Sequence, residues 1–183
     1  MTSAVSKSIL KLLKWQIVGN HHPDVKKKVV IAGPHTSNWD FPLGVMVRSA
    51  IEADIKYVGK AALFKPPLGW IMTKLGGIGV DRSRSNNFVQ AVVDQYNKRE
   101  ALSILFAPEG SRSRVEKFKT GFYHVARLAN IPILPIVLDY KKKEFKFLPL
   151  FYTTENRDKD ISDLEQYYDG VEGYNPEDGF YLS

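Results

Sequence analysis

Residues 28–42, KVVIAGPHTSNWDFP, pass from an apolar run of β-formers through a Gly-Pro step into a polar loop, and then into a segment with helical pattern. Residues 28–32 read as a buried strand, because a short apolar run ahead of Gly and Pro is the signature of a strand covered on both faces. Pro34 and the HTSN that follows mark a loop, and a helix is predicted from about Asp40 to Ala53. A strand that leaves its sheet by a loop and enters a helix is one β-loop-α unit.

The unit recurs along the chain. Residues 54–59, DIKYVG, form a second short strand. Pro66 and Pro67 then break any helix, and an apolar segment carrying Trp70 ends at Gly76-Gly77. IGVDRS, 78–83, is a strand or strand end. Asn86 to Glu100 has Phe88, Val89, Val92, Val93 and Tyr96 on one helical stripe. Leu102 to Phe106 is a strand followed by the loop APEGSRSR. Gly121 to Asn130 is a helix with Asn130 at its C-terminal cap, and IPILPIVL, 131–138, is a strand containing prolines. Alternation of this kind predicts an α/β fold: a single domain over 1–183, with a largely parallel or mixed sheet flanked by helices. Residues 28–138 make the motif-bearing core.

The two ends differ from this core. Apolar residues at 5, 9, 12, 13 and 16–18, with Lys7, Lys11 and Lys14 between them, predict an amphipathic helix within 1–20. With Trp15 it has the composition of an interfacial membrane helix, or of a helix docked on its own core. Residues 155–183 carry nine acidic side chains and two basic ones, a balance of −7. The rest of the chain has 24 basic residues against 11 acidic, so the body is +13 while the whole is +6. A basic body points to an anionic partner. The acidic segment reads as a lid, an edge hairpin or a loose tail.

Composition narrows the classes. The chain is 44% hydrophobic and 25% charged, ordinary for a globular protein. No run approaches the ~18 apolar residues of a membrane-spanning helix, and the lysine-interrupted N-terminus does not read as a signal peptide. With no cysteine, disulfides and thiolate metal sites are excluded.

Three loops could carry chemistry. In the first, His35 and Asp40 lie beyond the carboxyl end of a strand, where open α/β sheets bind ligands. Asp40 can hold one ring nitrogen of His35 and leave the other as a base. The plainer alternative is a helix cap beside a turn histidine. No G-x-S-x-G elbow supplies an enzyme nucleophile, so a His-Asp pair here suits a reaction whose nucleophile is the substrate's own hydroxyl. In the second, Glu109, Gly110, Ser111 and Arg112 follow a strand. Arginine forks bind phosphate oxygens, Gly110 lets backbone amides approach an anion, and Glu109 would brace an arginine or touch an acceptor hydroxyl. The plainer alternative is a surface Arg-Glu loop. In the third, Gly76 to Ser85 carries Arg82 and Arg84 after a glycine-rich approach. It fits neither a P-loop nor a dinucleotide fingerprint, and a phosphate-reading basic loop is the more economical idea.

Taken in order, these stretches resemble the glycerophospholipid acyltransferase family, which includes lysophosphatidic acid (1-acyl-sn-glycerol-3-phosphate) acyltransferase. Its H-x-x-x-x-D block is similar to His35-Thr-Ser-Asn-Trp-Asp40. Its Asp-Arg block looks like Gly79-Val-Asp-Arg82, and its F-P-E-G-T-R-S block like Phe106-Ala-Pro-Glu-Gly-Ser-Arg-Ser113. The F-K-x-G that trails the third block corresponds to Phe118-Lys-Thr-Gly121, and the proline-containing strand to Ile131–Ile136. Ser111 replaces the usual Thr, Ala107 is inserted, and the family's spanning helices have no counterpart.

The resemblance implies an acyltransferase moving a fatty acyl group from acyl-CoA or acyl-ACP to the free hydroxyl of a lysophospholipid. The most economical acceptor is 1-acyl-glycerol-3-phosphate, giving phosphatidic acid. His35 and Asp40 would be catalytic, and Arg82, Glu109, Gly110, Ser111 and Arg112 would hold the acceptor. No metal or redox cofactor is implied. The basic body and apolar segments lead us to expect peripheral attachment to an anionic membrane, on the cytoplasmic face of the cell membrane, and no nucleic acid. Three rivals are a non-catalytic basic module binding lipid or nucleic acid, an acyltransferase for a phosphate-free acceptor such as lyso-ornithine lipid, and a metal-dependent hydrolase built on His21, His22, His35, Asp40 and His124. The adjacent His21-His22 and the lack of any HExxH spacing tell against the last.

Overall fold

A computed structural model describes residues 2–67, 69–80 and 85–182. Its centre is a seven-stranded sheet. The strands are β1 (Gln16–Val18), β2 (Lys27–Gly33), β3 (Ile55–Lys60), β4 (Gly77–Val80), β5 (Leu102–Phe106), β6 (Ile133–Asp139) and β7 (Glu144–Phe147), in the spatial order β1-β7-β6-β2-β5-β3-β4. β6, β2, β5, β3 and β4 are parallel. β7 returns antiparallel to β6, and β1 pairs parallel to β7 at the edge. The sheet is therefore mixed, with a five-stranded parallel body.

The helices are α1 (Ser3–Leu12), α2 (Asp40–Ala50), α3 (Gly69–Lys74), α4 (Ser85–Asn97), α5 (Gly121–Ala129) and α6 (Arg157–Gln166). Strand alternation sorts the core into two layers. Val29 and Ile31 of β2, with Ile104 and Ile133, face a cluster that holds Val92 and Tyr96 of α4, Phe122 and Val125 of α5, and Leu164 of α6. Val30, Leu134, Ile136 and Leu138 face the opposite way, onto Leu43 and Val47 of α2 and Leu10 of α1. Both faces of the central strands are thus covered, which is why β2 reads as an unbroken apolar run rather than an alternating one.

The N-terminal reading needs correction. The helix within 1–20 ends at Leu12, and Gln16–Val18 is a strand. Lys14 takes a left-handed conformation (φ 62°). The Trp15 amide donates back to Leu10 O at 2.8 Å, turning the chain into the sheet. β1 pairs with β7 some 130 residues away, and no local pattern reports such a partner. Trp15 is accordingly buried in the core rather than offered to a membrane, although Leu12 at the end of α1 and Leu13 just past it stay exposed.

The acidic C-terminal segment is ordered where it is described. Tyr168 and Phe180 are fully buried in the first cluster. Two of its carboxylates are internal. Asp160 accepts from the Tyr123 hydroxyl at 2.9 Å and the Thr154 amide at 2.6 Å, and Glu165 accepts from the Phe118 amide at 2.8 Å. The charge run is therefore partly structural: its inward carboxylates satisfy donors that the core would otherwise strand.

Candidate active site

Three adjacent strands end together. Register pairs Ile31 of β2 with Phe106 of β5, and Gly33 of β2 with Val137 of β6. The loops leaving their carboxyl ends must meet, so the chain segments 34–39, 107–112 and 139–141 share one rim of the sheet.

The first loop folds around Asp40. Its Oδ2 accepts from His35 Nδ1 at 2.8 Å, from the Thr36 amide at 3.0 Å and from the Ser37 amide at 2.9 Å. Its Oδ1 accepts from the Tyr140 hydroxyl at 2.7 Å. With Nδ1 carrying the proton toward Asp40, Nε2 is the nitrogen left as a base. Asp40 opens α2, where a carboxylate also gains from the helix dipole. The Asp40 side chain is 4% exposed and the His35 side chain 26%, so the acid is internal and the imidazole reaches the solvent side. Burial alone pushes the Asp40 carboxyl up. The hydrogen bonds from His35, Tyr140 and the Ser37 amide outweigh it and hold the group below the usual carboxylate range. The amides of Thr36 and Ser37, close to the helix start, are thereby committed to Asp40.

The second loop supports the first from behind. Glu109 is buried, and its Oε1 accepts from the His35 amide at 3.1 Å. Its Oε2 is buried with no hydrogen-bond partner among the described residues. Burial raises its carboxyl above the usual range, with the nearby Asp40 charge acting in the same direction and the His35 amide opposing. Among the described residues it makes no ion pair with an arginine, so the expected brace runs to the His35 backbone instead. A Cβ on Gly33 would sit 2.8 Å from Glu109 Oε1 and 3.2 Å from the Tyr168 ring, so a larger residue here would have to displace the Glu109 carboxylate. Gly110 is left-handed (φ 71°), which turns the loop toward Ser111 and Arg112.

His35 and Asp40 line a cavity of about 1180 Å³. Gly110, Ser111, Arg112 and Lys119 line it as well, giving one polar and cationic portion. Phe41, Val45, Ile51, Tyr57, Met72 and Leu105 line an apolar portion along α2 and the neighbouring strands. Gly44 on α2 faces open space, where a Cβ would meet nothing within 4 Å. Of the residues singled out in the sequence, His35, Asp40, Gly110, Ser111 and Arg112 are thus gathered about one cavity. Glu109 stands directly behind it, and Arg82 lies outside the described residues. His124 also lines this cavity, but among the described residues no three His, Asp or Glu side chains form a metal-ligating group.

Sequence reading missed Tyr140, which follows β6 and reaches Asp40 from the opposite side of His35. It also missed Asn175, whose amide donates to Thr36 Oγ1 at 3.1 Å and whose Nδ2 donates to Thr36 O at 3.0 Å. The available signal was Tyr140's position, immediately past a buried strand. It becomes meaningful only once β6 is known to neighbour β2.

A three-layer α/β fold with a carboxylate-anchored histidine at the ends of its parallel strands defines a class, and comparison with known proteins gives the family. Residues 14–139 match the Acyltransferase family, and the chain belongs to it. It is 33% identical over 109 residues to the 1-acyl-sn-glycerol-3-phosphate acyltransferase of Salmonella typhimurium, covering 56% of this chain and 43% of that protein. It is 27% identical over 157 residues to the enzyme of the same name from Limnanthes alba, covering 76% of this chain and 52% of that protein. The chain thus spans about half the length of these curated relatives. The crystal structure of the 1-acyl-sn-glycerophosphate (LPA) acyltransferase, PlsC, from Thermotoga maritima superposes with a TM-score of 0.62 over 90% of this chain and 74% of that one. At 16% sequence identity it establishes the likeness of fold.

Proposed function

We propose that this protein transfers a fatty acyl group from a thioester donor, acyl-CoA or acyl-ACP, to the free hydroxyl of 1-acyl-glycerol-3-phosphate, producing phosphatidic acid. One observation carries the reading: a histidine with Nδ1 tied to a buried carboxylate at 2.8 Å lines the same cavity as an arginine loop and an apolar trough. His35 Nε2 takes the proton of the acceptor hydroxyl as its oxygen attacks the thioester carbonyl. Asp40 holds the imidazole and balances the positive charge that forms. The tetrahedral intermediate expels the thiol, which leaves with the proton that Nε2 returns. General-base assistance of this kind contributes roughly 10²–10⁴-fold. Arg112 and Lys119, with Arg82, hold the acceptor phosphate; the trough takes an acyl chain. The reaction draws its energy from the thioester and calls for no metal or redox cofactor.

The substrates imply a membrane. No described helix is long and apolar enough to span one. Trp39, Phe41 and Trp70 are exposed; the Tyr57 ring meets Phe41 edge-on at 5.3 Å, and its hydroxyl donates at 3.3 Å to Met72 O of α3, the helix that carries Trp70. Lys74 Nζ lies 5.0 Å from the centre of the Trp70 ring. Aromatic side chains beside lysines suit the interface of an anionic bilayer. We place the protein peripherally, on the inner face of the cell membrane.

The test is an acyl-transfer assay with purified protein, acyl-CoA or acyl-ACP, a panel of lysolipids and mass detection of the product. Phosphatidic acid should form, and His35→Ala should lose at least about 10²-fold. Wild-type turnover by His35→Ala overturns the mechanism and favours a non-catalytic lipid module. Turnover of lyso-ornithine lipid, unaffected by Arg112→Ala, overturns the phosphate acceptor. Failure to sediment with anionic vesicles at low salt overturns the peripheral placement.

A further inference from the structure

The hydroxyl of Tyr140 has no place in the residues that define the family resemblance, and it lies one position beyond the segment matched to the family. It is nonetheless the donor that completes Asp40. Three donors crowd Oδ2, while Oδ1 has Tyr140 at 2.7 Å. A carboxylate held on one oxygen can swing about its Cβ–Cγ bond, and one held on both cannot. Rotation of this group would carry the imidazole with it.

Both ends of the chain converge to hold that tyrosine. Trp15 packs edge-on against its ring at 4.9 Å and Tyr174 does so at 5.5 Å. Its amide donates to Glu172 O at 2.9 Å, and the neighbouring Lys141 pairs with Glu172. Three residues past Glu172, Asn175 grips Thr36 in the histidine loop itself. Trp15 and the acidic C-terminal segment thus buttress one phenol.

We propose that Tyr140 is a positioning residue, whose hydroxyl, clamped by the N-terminal tryptophan and the C-terminal strap, fixes the Asp40 carboxylate and through it the working orientation of His35. The titratable groups facing Tyr140 are Asp40 on one side, Tyr174 on another and Lys143, whose Nζ lies 5.8 Å from the ring centre. Burial, and after it the Asp40 carboxylate, push the phenol far above its ordinary range, so it remains a donor throughout the working pH.

This inference rests on His35 being the base, and the experiment separates the two. In ¹H NMR of the free protein, the His35 Nδ1 proton should give a low-field resonance that is absent in His35→Ala. Tyr140→Phe keeps the ring and removes the donor. It should shift or broaden that resonance and lower kcat about tenfold, with KM for both substrates within about twofold and Tm within a few degrees. Incorporating 3-fluorotyrosine at position 140 strengthens the donor without changing shape, and it should move the resonance in the opposite sense. It also gives a reading should the phenylalanine variant fail to fold. Tyr152→Phe, at an exposed tyrosine outside this clamp, should change neither. A resonance unmoved by either substitution at 140, or a kcat unchanged in Tyr140→Phe, overturns the proposal. Wild-type turnover by His35→Ala would instead overturn the mechanism beneath it.

Discussion

Asp40→Asn isolates the charge of the carboxylate from its geometry. The three donors at Oδ2, the His35 Nδ1–H and the amides of Thr36 and Ser37, all require an acceptor. They select the asparagine rotamer that puts its carbonyl there and its NH₂ against the Tyr140 oxygen. The imidazole therefore keeps its tautomer, and what is lost is the negative charge facing an imidazolium that exists only while Nε2 holds the substrate proton. Charge centres about 4 Å apart interact by about 4 kcal/mol at an effective dielectric of 20. That dielectric suits a partly buried pair. At about 1.4 kcal/mol per decade this is about 10³-fold in kcat. The loss should be smaller than the ~10⁴-fold seen where an Asp-to-Asn change also leaves a catalytic histidine in the wrong tautomer. Steady-state kinetics at saturating acyl donor and acceptor measure it. A loss under tenfold would mean that no imidazolium forms opposite Asp40, and the reasoning fails. A loss matching His35→Ala would mean that the amide does not hold the ring.

Other perturbations test the surrounding structure. The Asp40 carboxyl is held below its ordinary range, so its contribution to stability should be complete above about pH 4 and fade as pH falls through the lower folded value; denaturant unfolding across that interval should show the slope, and Asp40→Asn should lack it. Glu109 has the opposite sign, since burial raises its carboxyl. Its cost to stability grows as pH rises from the ordinary carboxylate value toward the raised one, so Glu109→Gln should gain Tm relative to wild type on going from pH 4 to pH 7. Gly44→Leu should improve the propensity of α2 by about 0.5–1 kcal/mol while its side chain enters the cavity, so Tm should rise and turnover of long-chain donors fall; unchanged turnover would show that the trough is not the acyl site. Phe180→Ala should cost about 3–5 kcal/mol by urea unfolding, because the ring is 1% exposed, whereas a loose tail would give almost nothing.

Much of the fold was legible because it is local. Val29 to Ile31, bounded by Gly33-Pro34, read as a strand covered on both faces, and they are one. The stripe Val89, Val92, Val93 and Tyr96 read as a helix, and Asn130 does end α5 in a left-handed conformation. The His35-to-Asp40 spacing suffices for contact because the short loop that holds His35 leads straight into Asp40 at the start of α2. β1 was not legible, since three residues beside a helix-like pattern acquire their conformation from β7. Nor was the order of the acidic segment, because Tyr168 and Phe180 are anchored by a core assembled from distant strands.

The amino-acid sequence by itself determined the alternation of strands and helices, the spacing that lets a histidine reach a carboxylate, and the family that those motifs resemble. Each depends on neighbours within a few positions, where periodicity, turn chemistry and covalent reach decide. Only the tertiary structure decided that Glu109 braces the His35 amide, that Trp15 is core, and that Tyr140 and Asn175 complete the site. Those contacts join residues 74 to 139 positions apart in sequence. They exist because β2 lies between β5 and β6, an order set by the packing of the whole sheet rather than by any one segment.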